Sequence, residues 1–97
     1  MKLRLTPRAT KDITEIGDYL RTRNPHAAER VRAAILESLQ SLMLFPRPGR
    51  LQSVPGVRKL VTRKYPYLVY DVVDTEADEV VVLAVQHAAR DREHEDA

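Results

Sequence analysis

Cysteine is absent from this 97-residue chain, which excludes disulfide frameworks, thiolate metal sites and cysteine nucleophiles. Long apolar runs are absent too, and nothing approaches the ~20 residues that span a bilayer. The start, Met1-Lys2-Leu3-Arg4-Leu5-Thr6-Pro7-Arg8, lacks the apolar centre of a secretory signal. A cytoplasmic protein with no membrane partner is therefore expected. Histidine is scarce: His26, His87 and His94 are the whole set, and no two are spaced as a metal pair. No metal is expected on that basis, and no cofactor is expected either. Acid is scarce over the first seventy residues, with 5 Asp/Glu against 14 Lys/Arg, or +9. Residues 71–97 reverse this, with 9 Asp/Glu against 2 Arg, or −7, which leaves the net +2. A basic stretch of that size attracts an acidic partner, nucleic acid or protein.

What remains is ordinary globular material, 43% apolar and 31% charged, so a packed fold rather than a disordered chain is expected. The length suits one domain over residues 1–97, with 91–97 as a tail expected to fray. Its core is thin, and a bound partner would stabilise it by mass action.

Lys2-Leu3-Arg4-Leu5 alternates as a short strand. Thr6-Pro7 reads as N-cap plus first helical residue, and Ala9, Ile13, Ile16 and Leu20 form the stripe of a first helix. Gly17 interrupts that helix, either to admit a second helix closely or incidentally. Asn24-Pro25 repeats the cap signal. The second helix carries Val31, Ile35, Leu39 and Leu42, widened by Leu36 and Met43, and ends at Phe45-Pro46. Thr22-Arg23-Asn24 joins the two helices as a hairpin. Residues 46–56 hold three prolines and two glycines and read as loop. Strands follow at 57–63, 67–73 and 80–85, the last an unbroken apolar run that implies cover on both faces. The expected fold is α+β, in the order β-α-α-β-β-β, with a two-helix hairpin packed on a small, mainly antiparallel sheet. The first strand is expected at the sheet's edge. Apolar residues on both faces of the 67–73 strand imply an exposed apolar groove on the face away from the helices.

Gly56-Val57-Arg58-Lys59-Leu60, Tyr65-Pro66-Tyr67-Leu68-Val69-Tyr70, Asp78 to Val85 and His87-Ala88-Ala89-Arg90 come in an order and spacing that resemble the RelE/ParE superfamily of toxins. Phe45-Pro46 with Gly49-Arg50, and the order of elements, resemble it too. The resemblance implies the toxin of a type II toxin–antitoxin system. RelE-like members cut mRNA on the ribosome without a metal, and ParE-like members poison DNA gyrase by binding. The nuclease branch commonly has an arginine where this chain has Tyr67. A phenol cannot replace that cation. The chain end, Asp91 to Ala97, is acidic around His94, which disfavours a phosphate backbone. The ParE-like branch is therefore expected. A cognate antitoxin with an acidic, apolar C-terminal segment is the implied partner, in a heterodimer or a two-fold multiple of one. The alternatives are a ribosome-dependent mRNA endonuclease and a non-toxic antitoxin-binding relic.

Arg58, Arg63, Lys64, Tyr67, Tyr70, His87 and Arg90 are the candidate target- or antitoxin-binding residues. In the nuclease reading Arg58, Arg63, His87 and Arg90 would be catalytic. Strand alternation predicts Arg58 and Lys64 on one face and Arg63 on the other, and Tyr67 and Tyr70 on opposite faces. Each also has a bland reading: solubilising charge on an edge strand, packing tyrosines, Arg90 paired with Asp91 or Glu93.

Overall fold

The computed structural model describes residues 1–62 and 64–89. Arg63, Arg90, His94 and the 91–97 tail lie outside the described residues. The chain runs β1 (Lys2–Leu5), α1 (Pro7–Arg23), α2 (Pro25–Leu44), β2 (Arg50–Leu51), β3 (Arg58–Val61), β4 (Tyr67–Asp74) and β5 (Glu79–His87). The strands form one sheet in the order β1-β5-β4-β3-β2. β1 is parallel to β5, and the other pairs are antiparallel. The fold is α+β, with β1 at an edge as its position before the helices required.

Thr6 starts α1 and anchors it. Its Oγ1 accepts from the Ala9 N–H at 3.1 Å, while its hydroxyl donates to the Leu83 carbonyl at 3.0 Å. Asn24 serves both helices. Its N–H donates to the Leu20 carbonyl at 2.7 Å, and its Oδ1 accepts from the Ala27 N–H at 3.1 Å. The expected three-residue joint is therefore one residue, because a single extended asparagine closes one helix and opens the next. Arg21 and Arg23 complement the dipole at the end of α1.

The core lies between α2, α1 and one face of the sheet. Val31, Ile35, Leu39 and Leu42 of α2 pack with Val69, Val80, Val82 and Val85, and Ile13, Ile16 and Leu20 of α1 pack against that cluster. Burying each such side chain contributes about 1.5–3 kcal/mol. Leu36 does not widen the stripe; it is exposed, because it falls on the helix face away from the core. A Cβ at Gly17 would meet nothing within 4 Å, so this glycine does not serve a close helix approach.

The 46–56 loop contains β2, two residues that pair Arg50 with Lys59 and Leu51 with Arg58. Gly49 permits this: a Cβ there would lie 3.0 Å from the backbone of Lys59. β5 bulges opposite the Tyr70/Asp71 step of β4. Asp12 of α1 plugs the irregularity, its Oδ2 accepting from the Val85 N–H at 3.0 Å.

Among the described residues the expected apolar groove on the far face does not appear. Leu68, Val81 and Ala84 there are only 4–5% exposed. In the register Tyr70 stands opposite Ala84, Gln86 opposite Leu68 and Val72 opposite Val81. The exposed large apolar groups lie elsewhere, with Leu44 77%, Phe45 69% and Val61 58% exposed.

Candidate functional site

Two features flank the β3–β4 connection, and the chain's local chemistry builds both. Thr62, buried, closes the turn. Its hydroxyl donates to the Tyr65 carbonyl at 2.7 Å, and its N–H donates to the Tyr67 carbonyl at 2.9 Å. Lys64 takes a left-handed conformation, φ 73°, inside that turn. The strand ends at Val61, so alternation does not carry through to Lys64. Strand alternation therefore does not dictate the side that Lys64 takes relative to Arg58.

The first feature is a groove of about 1060 Å³ between α2 and β3. One wall is a second stripe along α2, through Arg30, Ala34, Glu37 and Ser41 to Phe45. The other wall is Leu60 and Val61 of β3, with Lys64 and Tyr65 of the turn. Because β2 pairs only with Arg58 and Lys59, no described strand covers the outer edge of β3 beyond them. Arg30 Nε donates to the Tyr65 hydroxyl at 3.3 Å, which ties the turn to α2. Among the described residues neither Arg30 nor Lys64 has a carboxylate within ion-pair distance.

The second feature is the open end of β4 and β5. Tyr67 and His87 are cross-strand partners, their rings edge-on with centroids 5.3 Å apart. Tyr67 is buried in the core cluster, and burial, with the neighbouring Tyr19 phenol second, pushes its hydroxyl above the ordinary 10. His87 is exposed, and its Nδ1 accepts from the Ala89 N–H at 3.1 Å, leaving Nε2 as the remaining polar ring atom. Beside this end Arg23 lies 4.1 Å over the Tyr19 ring.

The other candidates stand apart. Tyr70 is half-buried on the face opposite Tyr67, as alternation predicts, between Lys59 and Ala84. Arg58 faces inward from β3, its Nη1 donating to the Gly49 carbonyl at 3.0 Å. It stands opposite Asp71, while His87 stands opposite Tyr67. Those two positions are four residues apart on β4, roughly 13 Å at ~3.3 Å per residue. Among the described residues, then, the nuclease set of Arg58 and His87 does not converge. No group of three His, Asp or Glu that could hold a metal occurs among them either.

The structure adds residues that composition did not single out. Arg30, Tyr65 and Phe45 reach the groove. The signal was present in α2 as a polar and small-residue stripe at spacings of three and four, beside the apolar one. Asp71 is the other. It occupies an inward position between Val69 and Val73, is fully buried, and neither carboxylate oxygen has a hydrogen-bond partner among the described residues. Burial holds its carboxyl up at about 6, against the opposing pull of the Arg58 guanidinium. An acid breaking an apolar alternation was the available signal.

Residues 3–92 match the family described as the ParE toxin of the type II toxin–antitoxin system parDE. The chain is 36% identical over 86 residues to toxin RelE2 of Caulobacter vibrioides, covering 88% of this chain and 92% of that one. It is 34% identical over 88 residues to the Y4kP protein of Sinorhizobium fredii, covering 90% and 88%. A structure of the chromosomal ParDE toxin–antitoxin system of P. aeruginosa superposes with a TM-score of 0.77 at 27% identity, over 90% of this chain and 95% of that one. The toxin of the intact E. coli RelBE complex shares the fold, with a TM-score of 0.70 at 24% identity over 90% and 95%. With nearly its whole length matched, this chain belongs to the ParE toxin family within the RelE/ParE superfamily of type II toxin–antitoxin toxins.

Proposed function

We propose that this toxin acts by binding, with DNA gyrase as its target, and that it cuts no RNA. One observation carries the reading: the middle-strand position that the nuclease chemistry fills with a cation holds Tyr67, buried against the core and turned edge-on to His87. A neutral buried phenol cannot neutralise a phosphate in transfer. General acid–base work needs a second group within hydrogen-bond reach of His87. Arg58 is committed to the Gly49 carbonyl instead. Its partner is a cognate antitoxin whose acidic, apolar segment covers the toxin. Support comes from the relatives solved as complexes, among them the E. coli RelBE toxin–antitoxin complex, and from the basic first seventy residues here. The complex is a heterodimer or a two-fold multiple of one, in the cytoplasm.

The test is induction of the isolated chain in a bacterium, with DNA and protein synthesis pulse-labelled in parallel. DNA synthesis falling first is the expected result. Protein synthesis falling first makes the chain a ribosome-dependent nuclease, a reading favoured by the 36% identity to a toxin named RelE2. In that case His87→Ala abolishes cleavage. Growth that continues unchanged makes it an antitoxin-binding relic.

A further inference from the structure

We infer that the cleft between α1 and α2 binds a small carboxylate with an apolar body, an aryl acid or a short alkyl acid. The cleft holds about 260 Å³ and shares no lining residue with the groove between α2 and β3. Gly17 opens it. A glycine inside a helix is less stable than alanine there, so its presence calls for a reason. Packing supplies none, because a Cβ at Gly17 would meet nothing within 4 Å among the described residues. Backbone conformation supplies none either, because Gly56 is the glycine with positive φ. What the missing side chain does is leave space. Thr14, Gly17 and Arg21 follow one another at three and four residues on α1, and Ala28, Arg32 and Ile35 at four and three on α2. Each set therefore lines one face of its helix. Counted from Asn24, Gly17 lies seven residues back and Arg32 eight residues on, so the gap in α1 falls level with Arg32 across the hairpin.

The lining is apolar below and cationic at the rim. Ala28, Val31 and Ile35 are 1–4% exposed and form the floor, with Ile13 and Ile16 beside them. At the rim Arg21 already pairs with Asp18, and Thr14 donates its hydroxyl to the Thr10 carbonyl. Arg32 meets no carboxylate among the described residues. An exposed guanidinium above an apolar floor matches a ligand with an anionic head and a hydrophobic tail, and its fork suits the two oxygens of a carboxylate. Two observations make this a small-molecule site rather than a protein-docking face. The volume falls below the roughly 300–1,000 Å³ of drug-sized ligand sites, so one ring or a short chain fills it. The large exposed apolar residues, Tyr19, Leu44, Phe45 and Val61 among them, all lie outside its lining, so it lacks the contiguous apolar patch that marks a docking face.

The probe is hydrocinnamate, a phenyl ring on a short acid arm, with hydrocinnamide as its uncharged counterpart. Each is titrated into the full-length, isotope-labelled chain and followed by amide chemical shifts. Saturable shifts at Gly17, Ala28 and Arg32 are expected. The acid is expected to bind roughly fivefold more tightly than the amide, with the preference shrinking as salt rises. Arg32→Gln removes that preference and leaves binding of the amide as it was. Gly17→Ala weakens both ligands, although the same change is expected to stabilise the fold. Gly17→Leu, which fills the cleft, abolishes both. Lys64→Gln, in the other groove, leaves the series unchanged. Shifts centred on Lys64 and Tyr65, loss of binding in Lys64→Gln, or no saturable shift at Gly17 and Ala28 overturns the site. Equal binding of acid and amide, or a preference that survives Arg32→Gln, overturns the carboxylate. If Gly17→Leu fails to fold, Arg32→Gln and Gly17→Ala still decide, since they alter an exposed side chain and an open space.

Discussion

The two stripes of α2 make the most instructive contrast in the molecule. They are carried by one helix, with one cap and one set of backbone hydrogen bonds. The inner stripe, Val31, Ile35, Leu39 and Leu42, is sealed against the sheet at 0–4% exposure. The outer stripe, Arg30, Ala34, Glu37, Ser41 and Phe45, faces a groove left open because β2 is two residues long. The same helix thus buries one face in the fold and leaves another open. The difference lies in side-chain size and charge, not in helical propensity. A face of large aliphatic groups gains by leaving water. A face of small residues beside Arg30 and Lys64, which meet no carboxylate among the described residues, has little to gain by entering the core.

Breaking the inner stripe has the largest expected effect. Leu39→Ala, at 1% exposure, removes buried methylenes and leaves a cavity, so a loss of about 2–5 kcal/mol is expected in urea unfolding. Ala33→Ser on the outer side is expected to stay within about 0.5 kcal/mol. Equal losses at the two sites would end the contrast.

The next effect concerns a charge within the sealed side. Asp71 carries a folded-state pKa raised from 3.8 to about 6, because burial penalises its carboxylate. The folded state therefore holds this proton more tightly than the unfolded one. The stabilisation is complete below about pH 4 and is lost as pH rises through 6. At about 1.4 kcal/mol per pH unit, the span amounts to roughly 3 kcal/mol. Asp71→Asn removes that dependence. Relative to wild type, the variant is expected to gain up to that amount between pH 4 and pH 7.5 in denaturation series. A constant difference across that range would show that Asp71 is solvated.

A smaller effect tests the anchor that sets α1 on the sheet. Thr6→Ala removes both the cap to Ala9 and the bond to Leu83, for an expected loss of about 1–2 kcal/mol in thermal unfolding. The smallest effect has the opposite sign. Gly17→Ala fills open space inside a helix and is expected to stabilise by about 0.5–1 kcal/mol. Destabilisation there would mean that a partner helix or an unseen neighbour needs the gap.

Much of the fold was legible because it is written in local terms. Thr6-Pro7 and Asn24-Pro25 name the two helix starts, and the Ala9 and Val31 stripes name their buried faces. The tyrosine- and valine-rich run from 67 and the apolar run from 80 name the two central strands. The candidate site was legible only in part. Tyr67 and His87 were singled out and do meet, as directly opposed residues of paired strands. The alternation that would place Arg58 and Lys64 on one face stops at Val61, because a left-handed turn at Lys64 follows the strand.

By itself the sequence determined six of the seven elements, their order and the family of the chain; the two-residue β2 lay hidden in what reads as loop. Caps, periodicity and motif order act over a few residues, where steric and hydrogen-bond preferences are decisive. Only the tertiary structure decided which apolar surface stays open. On the far face of the sheet Leu68, Val81 and Ala84 are almost fully buried, and the register sets Gln86, Val72 and Tyr70 beside them. The α2–β3 groove opened because Gly49 brings the 46–56 loop onto β3 for only two paired residues. Both outcomes join residues distant in the chain, and the physics that selects them is packing between elements, to which no local pattern is sensitive.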